Sequence, residues 1–370
     1  MRWIATCPDE TKEVLAAELA QLGVHGARLI YRGVAFEAGL ETAYRAHLWL
    51  RTASRIQRIV ADLPVSSLTA AAAEVPWAEL ILARHPFAVS VILTDDESRA
   101  VGEETVRAAI ADAVTRATGA RLEPEADVGL VAHLRAGVCT VGLDTAGRAL
   151  HKRGWRLGGH PAVLKETLAA SLLLLAGYDG SEPLLDPMCG SGTIAIEGAY
   201  IALNKAPLIH RGKDDFAFEH QAGFDRALWR RVSDQARAAK LPAPRAPIYA
   251  SDIRQEFVDL ARQTALRARV EKHLTFSTSS LQNLQAPGPA GLLICNLPYG
   301  ERLSASAGLY QDVGHALSTR FAGWRAALLV PAGAPVEALK LPRPAQVFDL
   351  MNGALEVRLL LFSPRKPANR

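Results

Sequence analysis

From about Gly158 onward the chain alternates short apolar runs with helical stretches, and this alternation constrains the fold more than any other feature. Strand candidates Pro183–Asp186, Pro247–Ser251, Leu292–Asn296 and Ala326–Val330 are separated by helical segments. Parallel neighbours need long crossovers, so this order predicts a parallel α/β sheet. The end breaks the pattern. Ala345–Asp349 and Leu355–Phe362 flank Asn352-Gly353, a tight-hairpin signal that makes the last strands antiparallel. Between Gly198 and Arg245 the polar, mixed-charge sequence reads as a helical insertion.

Two smaller blocks precede this one. In the first, to about Leu63, Thr11–Leu22 has the apolar spacing of a helix, Val24–Ala38 suits a hairpin, and Thr42–Val60 is expected to be helical. The second, from about Pro64 to Arg156, places strands Phe87–Leu93 and Ala136–Leu143 around a helix over Glu104–Thr118. Both read as α+β units. A length of 370 residues admits two or three domains, and 42 basic against 38 acidic residues permits a nucleic-acid partner without demanding one. No apolar run reaches the ~18 residues of a membrane span, and the first ten residues lack the apolar core of a signal peptide. Four scattered cysteines form neither a disulfide framework nor a Cys-x-x-Cys zinc site. A cytoplasmic location without a metal is expected.

Two motifs carry chemistry. In Leu184-Leu185-Asp186-Pro187-Met188-Cys189-Gly190-Ser191-Gly192-Thr193, an apolar strand ends in Asp-Pro, and glycines then let the backbone approach a ligand before a helix begins. The next acid at a strand end is Asp252, whose carboxylate can accept both hydroxyls of a ribose or cap a helix. In Leu292-Leu293-Ile294-Cys295-Asn296-Leu297-Pro298-Tyr299-Gly300, a buried strand ends in Asn before a stiff turn and an aromatic ring. The Asn296 amide oxygen and the Leu297 carbonyl can accept the two hydrogens of an exocyclic amine. That aligns a weak nitrogen nucleophile on a methyl donor by position and fixed dipoles. Tyr299 can stack on a flipped or single-stranded base. Cys189 and Cys295 read as packing residues, and His210 and His220 as surface residues without metal-ligand spacing.

At these residues the sequence resembles the THUMP-domain class I S-adenosylmethionine-dependent RNA guanine-N2 methyltransferases. The resemblance implies an α/β Rossmann-like class I methyltransferase domain over 158–370, its mostly parallel sheet closed by an antiparallel C-terminal hairpin. It implies a ferredoxin-like unit over 1–63 and a THUMP RNA-binding domain over 64–157. The family signature is usually Asn-Pro-Pro-Tyr; here it is Asn296-Leu297-Pro298-Tyr299, which the resemblance makes the catalytic set. S-adenosylmethionine would be held by Leu164, Thr167, Asp186, Pro187, Cys189, Gly190, Ser191, Gly192, Thr193, Asp252, Ile253, Ser280, Leu281 and Asn296. The family commonly has an acid near the adenine amino group, where this chain has Ser280.

The insertion, with Ala206-Pro207 and Phe216-Ala217-Phe218-Glu219, resembles the bacterial large-subunit ribosomal RNA branch, which implies structured ribosomal RNA as partner ahead of transfer RNA. A catalytically silent RNA-binding factor and, more remotely, a nicotinamide dehydrogenase are the other readings. The basic run His151, Lys152, Arg153 and Arg156 beside Trp155 is expected, with Arg302, to contact RNA phosphates, whereas Asp95-Asp96-Glu97 and Glu103-Glu104 form an edge that repels them.

Overall fold

The computed structural model describes residues 1–83, 85–158, 164–212, 215–298 and 307–364. Two compact units emerge, one of residues 1–150 with 210–235 and the other of 151–209 with 236–370.

The first unit is built on a seven-stranded sheet. Its strands are β1 (Arg2–Thr6), β2 (Arg28–Ile30), β3 (Gly33–Glu37), β4 (Arg55–Pro64), β5 (Phe87–Leu93), β6 (Val128–Arg135) and β7 (Val138–Asp144), in the order β2-β3-β1-β4-β7-β6-β5. All neighbours are antiparallel except β5 and β6. The helix expected over Thr42–Val60 stops at Trp49, and its second half is strand β4. Ile56, Ile59 and Val60 are β-branched, and β4 bonds to β1 on one side and β7 on the other, so ladder pairing overrides the helical spacing. The boundary expected at residue 63 therefore falls near the end of a strand that ties both N-terminal blocks into one sheet. Strand β6, which the sequence reading missed, pairs with β7 through a hairpin turning at Ala136-Gly137.

The stretch 210–235 also belongs to this unit. It is less polar than its composition suggests. Phe216 stacks on Phe218 at 5.1 Å, and both meet Trp229 edge-on. Tyr44 lies 4.9 Å from Phe218, and its hydroxyl accepts the Asp225 amide. His47 packs edge-on against both phenylalanines; burial pushes its pKa down to about 4, so the ring is neutral.

The second unit follows the predicted plan. Strands β8 (Leu184–Asp186), β9 (Ile248–Asp252), β10 (Leu274–Thr278), β11 (Leu292–Asn296) and β12 (Arg325–Pro331) are parallel, and β13 (Gln346–Asn352) and β14 (Leu355–Phe362) add an antiparallel hairpin. The order is β10-β9-β8-β11-β12-β14-β13. The two-residue turn is Gly353-Ala354, with Gly353 at φ +67, a conformation glycine adopts without steric cost. Alternate strand residues enter two separate cores. Leu184, Ile294 and Leu329 face one layer of helices, while Leu185, Leu293 and Leu328 face the other. Among the described residues no helix is long and apolar enough to cross a membrane, and no cluster of His, Cys, Asp or Glu is placed to hold a metal ion.

Candidate active site

The order of the second sheet reverses between β8 and β11, and the site opens there, at the carboxyl ends of β8, β9 and β11. A cavity of about 340 Å³ is walled by the loop Asp186–Ser191, the Asp252–Arg254 turn, Ser279 and Leu281 after β10, and Asn296–Pro298 after β11. Leu164 and the face of helix Ala307–Ser318 carrying Leu309 and Asp312 complete it.

The loop after β8 is laced to the end of β9. The Cys189 amide donates to the Ser251 carbonyl at 2.9 Å, and the Gly190 amide donates to Asp252 Oδ2 at 3.0 Å. Asp252 Oδ1 also accepts the Arg254 amide at 3.1 Å at the start of helix Gln255–Arg267. The carboxylate thus fixes the turn that leads into that helix and lines the cavity, but it does not cap the helix, whose N-cap is Arg254 with no side-chain cap bond. Gly192 sits at φ +80, where a Cβ would lie 3.0 Å from that of Ala261. It lets the loop pass tightly over the helix without itself reaching the cavity wall.

Asp186 is buried, accepts only the Met188 amide (3.2 Å) among described partners, and has its pKa pushed up to about 8 by burial, with the Asp252 charge adding to the rise. Cys189 and Cys295 are buried thiols whose pKa burial raises well above the usual value, which fits packing and opposes a nucleophilic role.

Asn296 closes β11. Its Oδ1 is buried and has no hydrogen-bond partner among the described residues. A buried acceptor left open is costly unless a ligand completes it, and this one lies on the cavity wall. Leu297 is fully buried, and its amide donates to the Leu329 carbonyl at 3.1 Å, fixing the turn that presents Asn296. Tyr299 and Arg302, expected to stack on a base and to meet phosphate, lie outside the described residues.

Several expected site residues are placed elsewhere. Thr167 is buried in helix Glu166–Leu175, where its carbonyl accepts the Ser171 hydroxyl. Ser280 lies between two wall residues, and its carbonyl accepts the Asn283 and Leu284 amides, which turns it off the cavity. Arg153 is no phosphate ligand. Its side chain is wholly buried and ion-paired at 3.1 Å with Glu197, itself wholly buried. Arg156 bonds Glu166 at 3.0 Å and the Leu164 carbonyl at 2.7 Å, which leaves it bracing the cavity rim. Of that basic run only Lys152 is exposed, with His151 half-buried. The sequence reading missed Arg254 and Phe257, whose guanidinium and ring stack at 4.5 Å on the wall, and Gln282, whose amide donates to Asp312 at 2.7 Å. Their one signal was adjacency to the strand ends.

The family described as RMKL-like, methyltransferase domain matches residues 153–360, more than half of the chain. The chain belongs to the RMKL-like methyltransferase family. Residues 2–57 match a second description, the RlmL ferredoxin-like domain. Among curated relatives, the ribosomal RNA large subunit methyltransferase K/L of Shewanella oneidensis is 34% identical over 387 aligned residues, covering 100% of this chain and 54% of the relative. The chain therefore spans about half the length of the curated relatives it matches. A possible methylase from Clostridium difficile 630 superposes with a TM-score of 0.88 at 26% identity, covering 100% of this chain and 99% of that one. A putative methyltransferase complexed with SAH gives 0.86 at 27% identity, covering 99% and 98%. The RMKL-like domain thus has the class I methyltransferase fold, preceded by a ferredoxin-like domain.

Proposed function

We propose that the chain transfers a methyl group from S-adenosylmethionine to the N2 amine of a guanosine in large-subunit ribosomal RNA. The observation that carries this reading is the open Asn296 Oδ1 on the wall that also holds Asp252. An unpartnered amide oxygen suits one amino hydrogen of a base, and Asp252 suits a ribose. Asp186, Asp252 and the backbone of the glycine loop would hold the cofactor, which supplies an electrophilic methyl group when bound. Asn296 would orient the amine nitrogen and, with the Leu297 carbonyl, stabilise the charge it develops. The family match and the name of the Shewanella relative support methyl transfer to ribosomal RNA. Within this reading residues 64–157 form a THUMP domain, sharing the first unit's sheet with the ferredoxin-like strands.

The test is to incubate the protein with tritiated S-adenosylmethionine and deproteinised large-subunit ribosomal RNA, then identify the labelled nucleoside. N2-methylguanosine is expected. Label in an adenosine overturns the base assignment, label only in transfer RNA overturns the substrate, and no label in any RNA supports a silent binding factor.

Cofactor binding should also release a proton. Empty, Asp186 holds its proton up to about pH 8. The unfolded carboxyl loses it near 3.8, so this residue's contribution to stability falls as pH rises through that window. A sulfonium and an ammonium favour the ionised carboxylate. Near neutral pH, calorimetry in buffers of different protonation heat should therefore read up to about one proton released per cofactor. S-adenosylhomocysteine, lacking the sulfonium, should release less. Equal heats in all buffers would refute the linkage.

A further inference from the structure

Helix Gln255–Arg267 has the cavity at its start, where Arg254 and Phe257 line the wall. Its far end, about 20 Å away at 1.5 Å per residue, carries a different surface. There the Ala268 carbonyl accepts both the Tyr200 hydroxyl at 3.1 Å and the Lys205 ammonium at 2.5 Å. Lys205 is buried, and its ammonium sits 4.2 Å over the Tyr200 ring. The segment carrying Lys240 is tied to the same place, because the Leu241 amide donates to Leu203 at 2.8 Å and the Asn204 amide side chain to Ala239 at 3.1 Å. Arg269, Lys272 and His273 follow Ala268 in the turn that leads into β10.

Three separate segments therefore converge on a cluster of cations. The charges of Lys240 and Arg269 bear on Lys205, and those of Lys240, Lys272 and Lys205 bear on His273. Of the nearby carboxylates, Glu197, whose charge also bears on the buried Lys205, pairs with Arg153, and Glu271 pairs with Arg262. Among the described residues, no ion pair neutralises Lys240, Arg269 or Lys272, and His273 Nε2 is buried without a hydrogen-bond partner. Arg269 and Lys272 are exposed, and Arg269 is held at φ +57, left-handed backbone that a non-glycine residue seldom adopts.

We infer that Lys240, Arg269 and Lys272 form a second RNA contact, gripping phosphodiester oxygens at the end of the sheet opposite the methyl-transfer cavity. The inference rests on the RNA substrate proposed above. Two compact ammonium groups and a guanidinium, carried on two segments, present donors for backbone phosphates, and they carry no base-reading geometry. RNA entering the cavity would be held again a helix length away, which fits a structured substrate better than a short single strand.

The test uses the full chain and deproteinised large-subunit ribosomal RNA, comparing wild type with Lys240→Glu/Lys272→Glu. RNA affinity should fall roughly tenfold or more, and the slope of log affinity against log salt should flatten by about two, one for each lost phosphate contact. S-adenosylmethionine affinity should not change. If charge reversal prevents folding, Lys240→Gln/Lys272→Gln reads the same slope change without repulsion. A helix-capping role alone would lower the melting temperature and leave RNA affinity and slope as in wild type, and that result overturns the inference. Retained RNA binding with loss of an acidic protein partner overturns it too. If wild type transfers no methyl to RNA but the variants still lose RNA affinity and slope, the contact stands and the proposed function fails.

Discussion

Asn296→Ala is expected to lower methyl transfer by about 10²–10³-fold, the usual cost of removing one preorganised group at a reacting centre. The effect should fall on kcat, with RNA affinity within a factor of two or so of wild type, because the amide meets one amino group and no backbone phosphate. Two features already in place make this sharp. The turn is fixed by the Leu297 amide bond to Leu329, so the substitution removes an acceptor without freeing the loop. Oδ1 has no partner among the described residues, so alanine leaves no donor there stranded. Single-turnover kinetics with labelled cofactor read the rate, and filter binding reads the affinity. An equal fall in both would assign Asn296 to RNA binding.

A comparably large effect on stability is expected from Arg153→Met. The variant leaves the Glu197 carboxylate buried beside an apolar side chain, and removing one partner of a buried pair costs about 3–5 kcal/mol. Arg153→Met with Glu197→Leu should recover most of that loss, since the desolvation penalty disappears with both charges. Denaturant melts of the single and double variants give the comparison. A single variant as stable as wild type would mean that solvent reaches the pair. RNA binding measured on the double variant separates this role from phosphate contact, which predicts a loss that the second substitution cannot restore.

The same arginine shows where sequence reading stops. Within His151–Arg156 nothing distinguishes Arg153 from Lys152, yet one is buried and the other exposed. The difference is Glu197, 44 positions away on a buried helix. Local features were legible because they are locally caused. The Asp-Pro and glycine loop, the strand ending in Asn296 and the Asn-Gly hairpin each announce a backbone constraint in adjacent residues, and the second sheet follows from them. Strand β4 was misread because its partners, β1 and β7, are supplied from elsewhere in the chain. Ser280 was expected at the cofactor from the family resemblance, but it lies past the end of β10, where its neighbours Ser279 and Leu281 line the cavity and its own carbonyl is taken by the Asn283 and Leu284 amides.

The aromatic segment 210–235 changes how the chain can be divided. It is encoded inside the catalytic half yet forms part of the N-terminal unit's interior, so the chain passes between the units at 150/151, 209/210 and 235/236. A gene fragment starting near Gly158 would leave Phe216, Phe218 and Trp229 without Tyr44 and His47. The complementary fragment ending at Leu150 would bare Tyr44 and His47 in turn. Recombination between relatives therefore cannot exchange the N-terminal unit as a single cassette. A viable chimera must transplant two stretches of sequence at once, so the halves are bound to be inherited together.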